Sequence, residues 1–181
     1  PALFVSNHES LIDTACLPAI LPRRVKWIAK RELMRVPLWG WGFGSTGAVF
    51  IDRRKPRDAI NKIRSGIAGL PADWSIAIFP EGTRSRDGAL GHFKKGAFHI
   101  AIQSRLPIVP IAIRGARELV RPGEWIIRPG VVDIAIGPPI NTDCWRNDEI
   151  VSRTLEIRNS IESCIQHADW HKVSASNKVA Q

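Results

Sequence analysis

The chain alternates short apolar runs with longer stretches in which apolar residues recur at helical spacing. The runs Ala2 to Val5, Val25 to Ala29, Ala48 to Ile51, Ser75 to Phe79, Leu106 to Ile113 and Val131 to Ile136 have the length and branched content of buried strands. Between them lie helical patterns. Leu11 to Leu21 is closed by Pro22, and Arg57 to Leu70 carries Ile60, Ile63, Ile67 and Leu70 on one stripe, weakened near its end by Gly66 and Gly69. Gly96 to Ser104 reads as a largely buried helix with His99 in its core, and Asn147 to about His167 packs Ile150, Ile157, Ile161 and Cys164. Pro110 cannot donate to a ladder, so its run is demoted to an edge or bulged position.

Strands interleaved with helices predict an α/β fold, with a mixed, largely parallel sheet flanked by helices. At 181 residues the chain is long enough for one full core. A single domain over residues 1–171 is expected, followed by a loose polar tail over 172–181.

Composition narrows the setting. Cys16, Cys144 and Cys164 are odd in number and form no C-x-x-C pair, which argues for a reduced compartment and against a disulfide framework or metal site. No stretch approaches the length of uninterrupted apolar sequence that spans a bilayer, and there is no signal-peptide pattern. The chain opens at Pro1 already entering a strand, so it is expected to be a fragment whose missing N-terminal segment could carry an anchor.

Charge changes the picture because of where it lies. Between Leu21 and Arg64 there are 12 Lys/Arg against 3 Asp/Glu, whereas the rest of the chain is balanced at 14 of each. Such a stretch points to phosphates on a substrate, a nucleic acid or a lipid surface. Within it, Glu32 to Gly44 is apolar and aromatic and suits either a membrane–water boundary or a glycine-rich buried connection. Aromatics beside cations also bind single-stranded nucleic acid, but no RNA-binding signature accompanies them, and no nucleic-acid partner is expected. Gly42 to Gly47 matches G-x-G-x-x-G. A strand rather than a helix follows it, so no dinucleotide site is expected.

The chemistry concentrates in two loops. His8 sits where the first strand ends and the first helix begins, and Asp13 follows five residues later. Both on one helix would lie roughly 140° apart, at about 100° per residue. With His8 in the loop and Asp13 in the first turn, the carboxylate can reach back to Nδ1 and leave Nε2 free to accept a proton. The plainer reading is that Asp13 caps the helix, in a Ser10-x-x-Asp13 start, and that His8 is a satisfied loop histidine. After the fourth strand come Pro80, Glu81, Gly82, Thr83, Arg84 and Ser85, with Lys94 and Lys95 a little beyond. Gly82 permits a tight turn. Arg84 offers a planar fork for phosphate oxygens, and Glu81 can accept hydroxyl hydrogen bonds or orient the arginine.

Taken in order, Asn7-His8 with Asp13, Gly47 to Arg53, Phe79 to Ser85 and Ile108 to Ala112 form a set. With Lys30 to Leu33 and Phe93 to Ala97, this set strongly resembles the glycerolipid acyltransferase family, best known for 1-acyl-glycerol-3-phosphate acyltransferases. The resemblance covers roughly residues 2 to 137 and implies a glycerol-phosphate acyltransferase-like fold. It implies His8 as general base and Asp13 as its orienting partner. Arg53, Glu81, Gly82, Thr83, Arg84 and Lys94 would handle the phosphate and glycerol of the acceptor, and the strand around Pro110 would shape the acyl-donor side. Residue 9 is Glu where many members carry Gln.

The function so implied is transfer of a fatty acyl group from acyl-CoA or acyl-carrier protein to the free hydroxyl of a lysophospholipid, first of all 1-acyl-glycerol-3-phosphate, giving phosphatidic acid. No cofactor or metal is expected, and the partners are the lysophospholipid, the acyl thioester and a membrane surface. The expected place is the cytoplasmic face of a membrane, peripheral or anchored through the missing N-terminal segment. The alternatives are another lysolipid or glycerol phosphate as acceptor, or a non-catalytic module binding anionic lipid. A histidine, with an ordinary pKa near 6.5, suits removal of a hydroxyl proton at neutral pH. There is no G-x-S-x-G elbow, and no cysteine stands beside a histidine for a thiol hydrolase.

Overall fold

The computed structural model describes residues 1–21, 24–35, 48–52, 65–66, 68–69, 71–85, 87–121, 124, 126–167 and 171–173. Strand β1 (Leu3–Ser6) is followed by α1 (Asp13–Ile20) and β2 (Val25–Lys30), which runs into a 3-10 turn, Arg31–Arg35. Then come β3 (Val49–Ile51), β4 (Ser75–Ile78), α2 (Gly96–Ser104), β5 (Ile108–Arg114) and the short α3 (Ala116–Leu119). The chain ends with β6 (Asp133–Ile136), a 3-10 turn at Asn147–Glu149, α4 (Ile150–His167) and β7 (His171–Val173).

The strands form one seven-stranded sheet in the order β3-β2-β4-β1-β5-β6-β7. Strands β3, β2, β4, β1 and β5 are parallel, and β6 and then β7 add antiparallel. This is the mixed, largely parallel sheet that the apolar runs predict. Alternation along each strand divides the core between the two faces. Leu3, Val5, Ile28, Ile76, Ile78 and Ile108 pack on one side with Phe98 of α2 and Ile157 and Ile161 of α4. Trp27, Ala77, Ile111, Ile113 and Ile134 pack on the other with Leu17 of α1 and Ala116 of α3. Full burial of each large side chain contributes roughly 1.5–3 kcal/mol.

The chain therefore leaves β1 toward one face, through α1, and leaves the adjacent β4 toward the opposite face, through α2. Where neighbouring parallel strands diverge in this way, a crevice opens at their C-terminal ends, the usual ligand position in open α/β sheets. The His8 loop leaves β1 there, and the Glu81–Arg84 loop leaves β4 there.

Two expectations are corrected and a third is narrowed. Pro110 lies in β5, an interior strand paired with β1 on one side and β6 on the other, so of the expected edge or bulged position the edge is excluded and the bulge remains. It is tolerated because β6 ends at Ile136, so the missing N–H falls where the ladder stops, and the Pro110 carbonyl still accepts from Gly137 N at 2.9 Å. Beyond it the facing segment carries one extra residue, since Ile108 bridges Ile140 while Ile111 faces Ile136, which is a bulge. His99 is exposed: Ala97, Phe98, Ile100 and Ala101 define the buried face of α2, and the remaining direction of that turn points to solvent. Lys172 and Val173 pair with Ala135 and Ile134 in β7, so the sheet takes in the first residues of the expected tail. Most of the expected helix from Arg57 to Leu70 and most of the aromatic segment from Glu32 to Gly44 lie outside the described residues.

Asn7 extends the sheet with its side chain. Its amide donates to the Ile113 carbonyl at 2.8 Å and accepts from Ile113 N at 2.7 Å, in a buried position. It thus takes the place of one more rung between β1 and β5, immediately before His8. Asn7→Ala leaves both groups of Ile113 unpaired in the core. A loss of about 2–4 kcal/mol in stability is expected, read as a lowered urea midpoint with unchanged slope.

Candidate active site

Asp13 opens α1 and is fully buried, at 0% exposure. One oxygen, Oδ2, accepts from three donors: His8 Nδ1 at 2.8 Å, Glu9 N at 2.7 Å and Ser10 N at 2.8 Å. The expected Ser10-x-x-Asp13 start is half realised. Asp13 takes the Ser10 backbone N–H, while Ser10 Oγ turns away and donates to the Val120 carbonyl at 2.8 Å. Two backbone N–H groups already donate to this oxygen, so Oδ2 meets Nδ1 as an acceptor. An acceptor facing Nδ1 assigns the ring proton there, which leaves Nε2 with its lone pair. Asp13 binds backbone N–H groups that precede α1, and the helix takes no side-chain cap, so of the two readings the reach to the imidazole is the one realised.

The ring of His8 is fixed on its face as well. Phe79, directly after β4, stacks on it with centroids 4.1 Å apart and planes at 16°, and Trp27 of β2 backs Phe79 at 6.2 Å. The side chain keeps 14% exposure, so one edge of the ring reaches solvent.

The second loop holds the backbone of the first. Glu81 is buried, its Oε1 accepting from His8 N at 2.8 Å and its Oε2 from Gly91 N at 2.9 Å. Ser85 N donates to the His8 carbonyl at 2.8 Å, so both backbone polar groups of His8 are taken up by residues 81–85. Gly82 turns the chain at φ 72°, with its N–H on the Phe79 carbonyl at 3.1 Å. At Gly91 a Cβ would stand 2.8 Å from Glu81 Oε2, so a side chain there would displace the carboxylate. Burial pushes the Glu81 carboxyl up, against the two N–H groups that pull it down. Glu81, expected at the acceptor, thus spends both oxygens on positioning the loops.

Thr83, Arg84 and Lys94 are exposed on this loop and the next, with Lys94 N tied to the Pro80 carbonyl at 2.9 Å. Arg53 lies outside the described residues. Pro110 is buried level with Val5, three residues short of His8 along β1. His8, Asp13, Glu81, Gly82 and the backbone flanking Arg84 are therefore brought together, while Pro110 stays inside the sheet. Among the described residues, no group of three or more His, Cys, Asp or Glu side chains is placed to hold a metal ion.

Sequence reasoning missed Glu9 and Phe79. The clue to Phe79 was its place directly before Pro80, at the end of the strand nearest His8. Glu9 is buried near the backbone of Ala116 and Arg117, which lowers its carboxyl, and near Asp13 and Glu118, which raise it. Burial first, and then these two carboxylates, raise it from 4.5 to about 7.

The fold and site together define an α/β domain that carries a histidine–carboxylate pair at the C-terminal edge of its parallel strands. Comparison with known proteins specifies the family. A family model described as Acyltransferase matches residues 1–114, and the chain belongs to the acyltransferase family. It is 39% identical over 150 residues to a 1-acyl-sn-glycerol-3-phosphate acyltransferase of Limnanthes douglasii, covering 82% of this chain and 53% of the relative. It is 35% identical over 163 residues to the alpha enzyme of that name from Homo sapiens, covering 89% and 57%. The chain spans about half the length of these curated relatives. The crystal structure of the 1-acyl-sn-glycerophosphate (LPA) acyltransferase PlsC from Thermotoga maritima superposes with a TM-score of 0.74 at 29% identity, over 94% of this chain and 68% of that one.

The Glu9 carboxyl generates a pH prediction. Folded, it holds its proton up to about pH 7, whereas the unfolded chain releases it near 4.5. The folded state then binds more protons between those values, so this group makes the protein less stable as pH rises through the window. Glu9→Gln keeps the acceptor oxygen without the charge. It should match the parent below pH 4.5 and exceed it by on the order of 2 kcal/mol above pH 7, after allowance for solvent screening. Thermal melts across pH 4 to 8.5 read the difference.

Proposed function

We propose that this chain moves a fatty acyl group from acyl-CoA or acyl-carrier protein to the free hydroxyl of 1-acyl-glycerol-3-phosphate, giving phosphatidic acid. The observation that carries the reading is the His8 ring. Its Nδ1 is committed to buried Asp13, and its backbone is clamped by the loop that presents Arg84. The names of the relatives supply the acceptor, and the exposed cations Arg84 and Lys94 suit its phosphate.

In this mechanism Nε2 of His8 takes the acceptor hydroxyl proton as the oxygen attacks the thioester carbonyl. The tetrahedral species collapses with cleavage of the carbon–sulfur bond, and the imidazolium returns the proton to the departing thiolate. Asp13 stabilises the transient imidazolium and keeps the ring in the productive tautomer. No covalent enzyme intermediate is needed, and the chain's own residues account for every proton. The lipid acceptor and product set the reaction at the cytoplasmic face of a membrane. The chain is peripheral there, or is held by a further segment.

His8→Ala should lower kcat by about 10²–10⁴-fold with the fold retained, measured as free thiol release with and without lysophosphatidic acid. Transfer at the parental rate would overturn the mechanism. Arg84→Ala should raise KM for a phosphate-bearing acceptor by roughly tenfold or more, the usual worth of one charge-assisted hydrogen bond, and leave a neutral lysolipid unaffected.

A further inference from the structure

Six large apolar side chains are exposed among the described residues, and their distribution is uneven. Ile126, Ile127 and Val131, at 66%, 67% and 74% exposure, belong to the connection between β5 and β6, and Met34, at 54%, to the turn after β2. Both β2 and β5 run parallel to β1, so both connections leave the sheet at the edge from which the His8 loop leaves. The remaining pair, Val151 and Leu155, lies one turn apart on α4.

The β5–β6 connection is pinned to the site. Val120 accepts from Ser10 Oγ, Arg128 N donates to the Leu119 carbonyl at 2.8 Å, and the Val131 carbonyl lies against Gly115. Its isoleucines are thus presented from a closed loop next to the catalytic one. Ordering them in solvent gains nothing for the fold. The same edge exposes Arg31, Arg84, Lys94, Lys95 and Arg121. Exposed aliphatic side chains and exposed cations on one edge of the sheet match an anionic bilayer, which accepts the apolar tips below its headgroups and the cations among its phosphates.

We propose that this edge of the sheet is the membrane-docking surface, with Ile126 and Ile127 as its inserted tip. His8 would then face the layer from which the acceptor hydroxyl rises. The inference deepens the lipid-acyltransferase reading and rests on it for its purpose, but vesicle binding is read separately from turnover.

The test compares the whole chain with Ile126→Asp/Ile127→Asp, and with Val151→Asp/Leu155→Asp as a control on α4, by co-sedimentation with phosphatidylcholine vesicles containing phosphatidylglycerol. The first variant should lose at least about tenfold in vesicle affinity, equivalent to about 1.4 kcal/mol. It should also lose turnover of vesicle-embedded acceptor while retaining the parental rate on a short-chain soluble one. The α4 control should bind as the parent does. Parental binding by the loop variant, equal loss by the control, or no vesicle binding by the parent would each overturn the docking surface. So would a shift of the loop variant from dimer to monomer without vesicles, which would give the patch to a second copy of the chain. A parent that docks but does not turn over the soluble acceptor would instead sink the catalytic reading and leave the surface standing.

Discussion

One buried oxygen organises the site. Asp13 Oδ2 collects the His8 ring and two consecutive backbone N–H groups within 2.8 Å, and it does so from the first turn of a helix. Each of these donors would carry a cost if left unpaired at this depth. This acceptor oxygen therefore shapes the loop from residue 8 to residue 10 and sets the ring tautomer in the same act. Stability and chemistry cannot be separated at this position.

A second carboxylate extends the arrangement to the neighbouring strand. Glu81 spans the His8 and Gly91 N–H groups, and Ser85 returns a donor to the His8 carbonyl. The loop after β4 is thereby registered against the loop after β1 through backbone groups, which vary little with side-chain motion. Phe79 adds a flat wall against the imidazole. Together with the bond to Asp13, these contacts remove most of the freedom the ring would otherwise have, as the proposed general-base role requires.

The third carboxylate of the region, Glu9, answers first to its burial. Burial, and then Asp13 and Glu118, raise its carboxyl to about 7, against the backbone of Ala116 and Arg117, which lowers it. Three acidic residues within one small volume thus take distinct roles: an acceptor on the ring, a backbone clamp, and a group whose charge follows pH across the physiological range.

The sequence by itself determined the alternation of strands and helices, the placement of His8 at the end of β1 and of the Glu81–Arg84 loop at the end of β4, and the reach of Asp13 back to the imidazole. These follow from local pattern and short spacing, where chain geometry leaves few choices. What it could not determine depends on partners distant in the chain. Strand order decided that Pro110 sits in an interior strand, because β6 happens to end opposite its missing N–H. Glu81 reads as a ligand in isolation and becomes a clamp only when β4 lies beside β1 and Gly91 folds onto it. Asn7 reads as a neighbour of the histidine and proves to be a rung to Ile113, more than a hundred residues away. The tertiary structure decided these because a hydrogen bond is settled by whichever group arrives to meet the donor, and that is a property of the packed sheet rather than of adjacent residues.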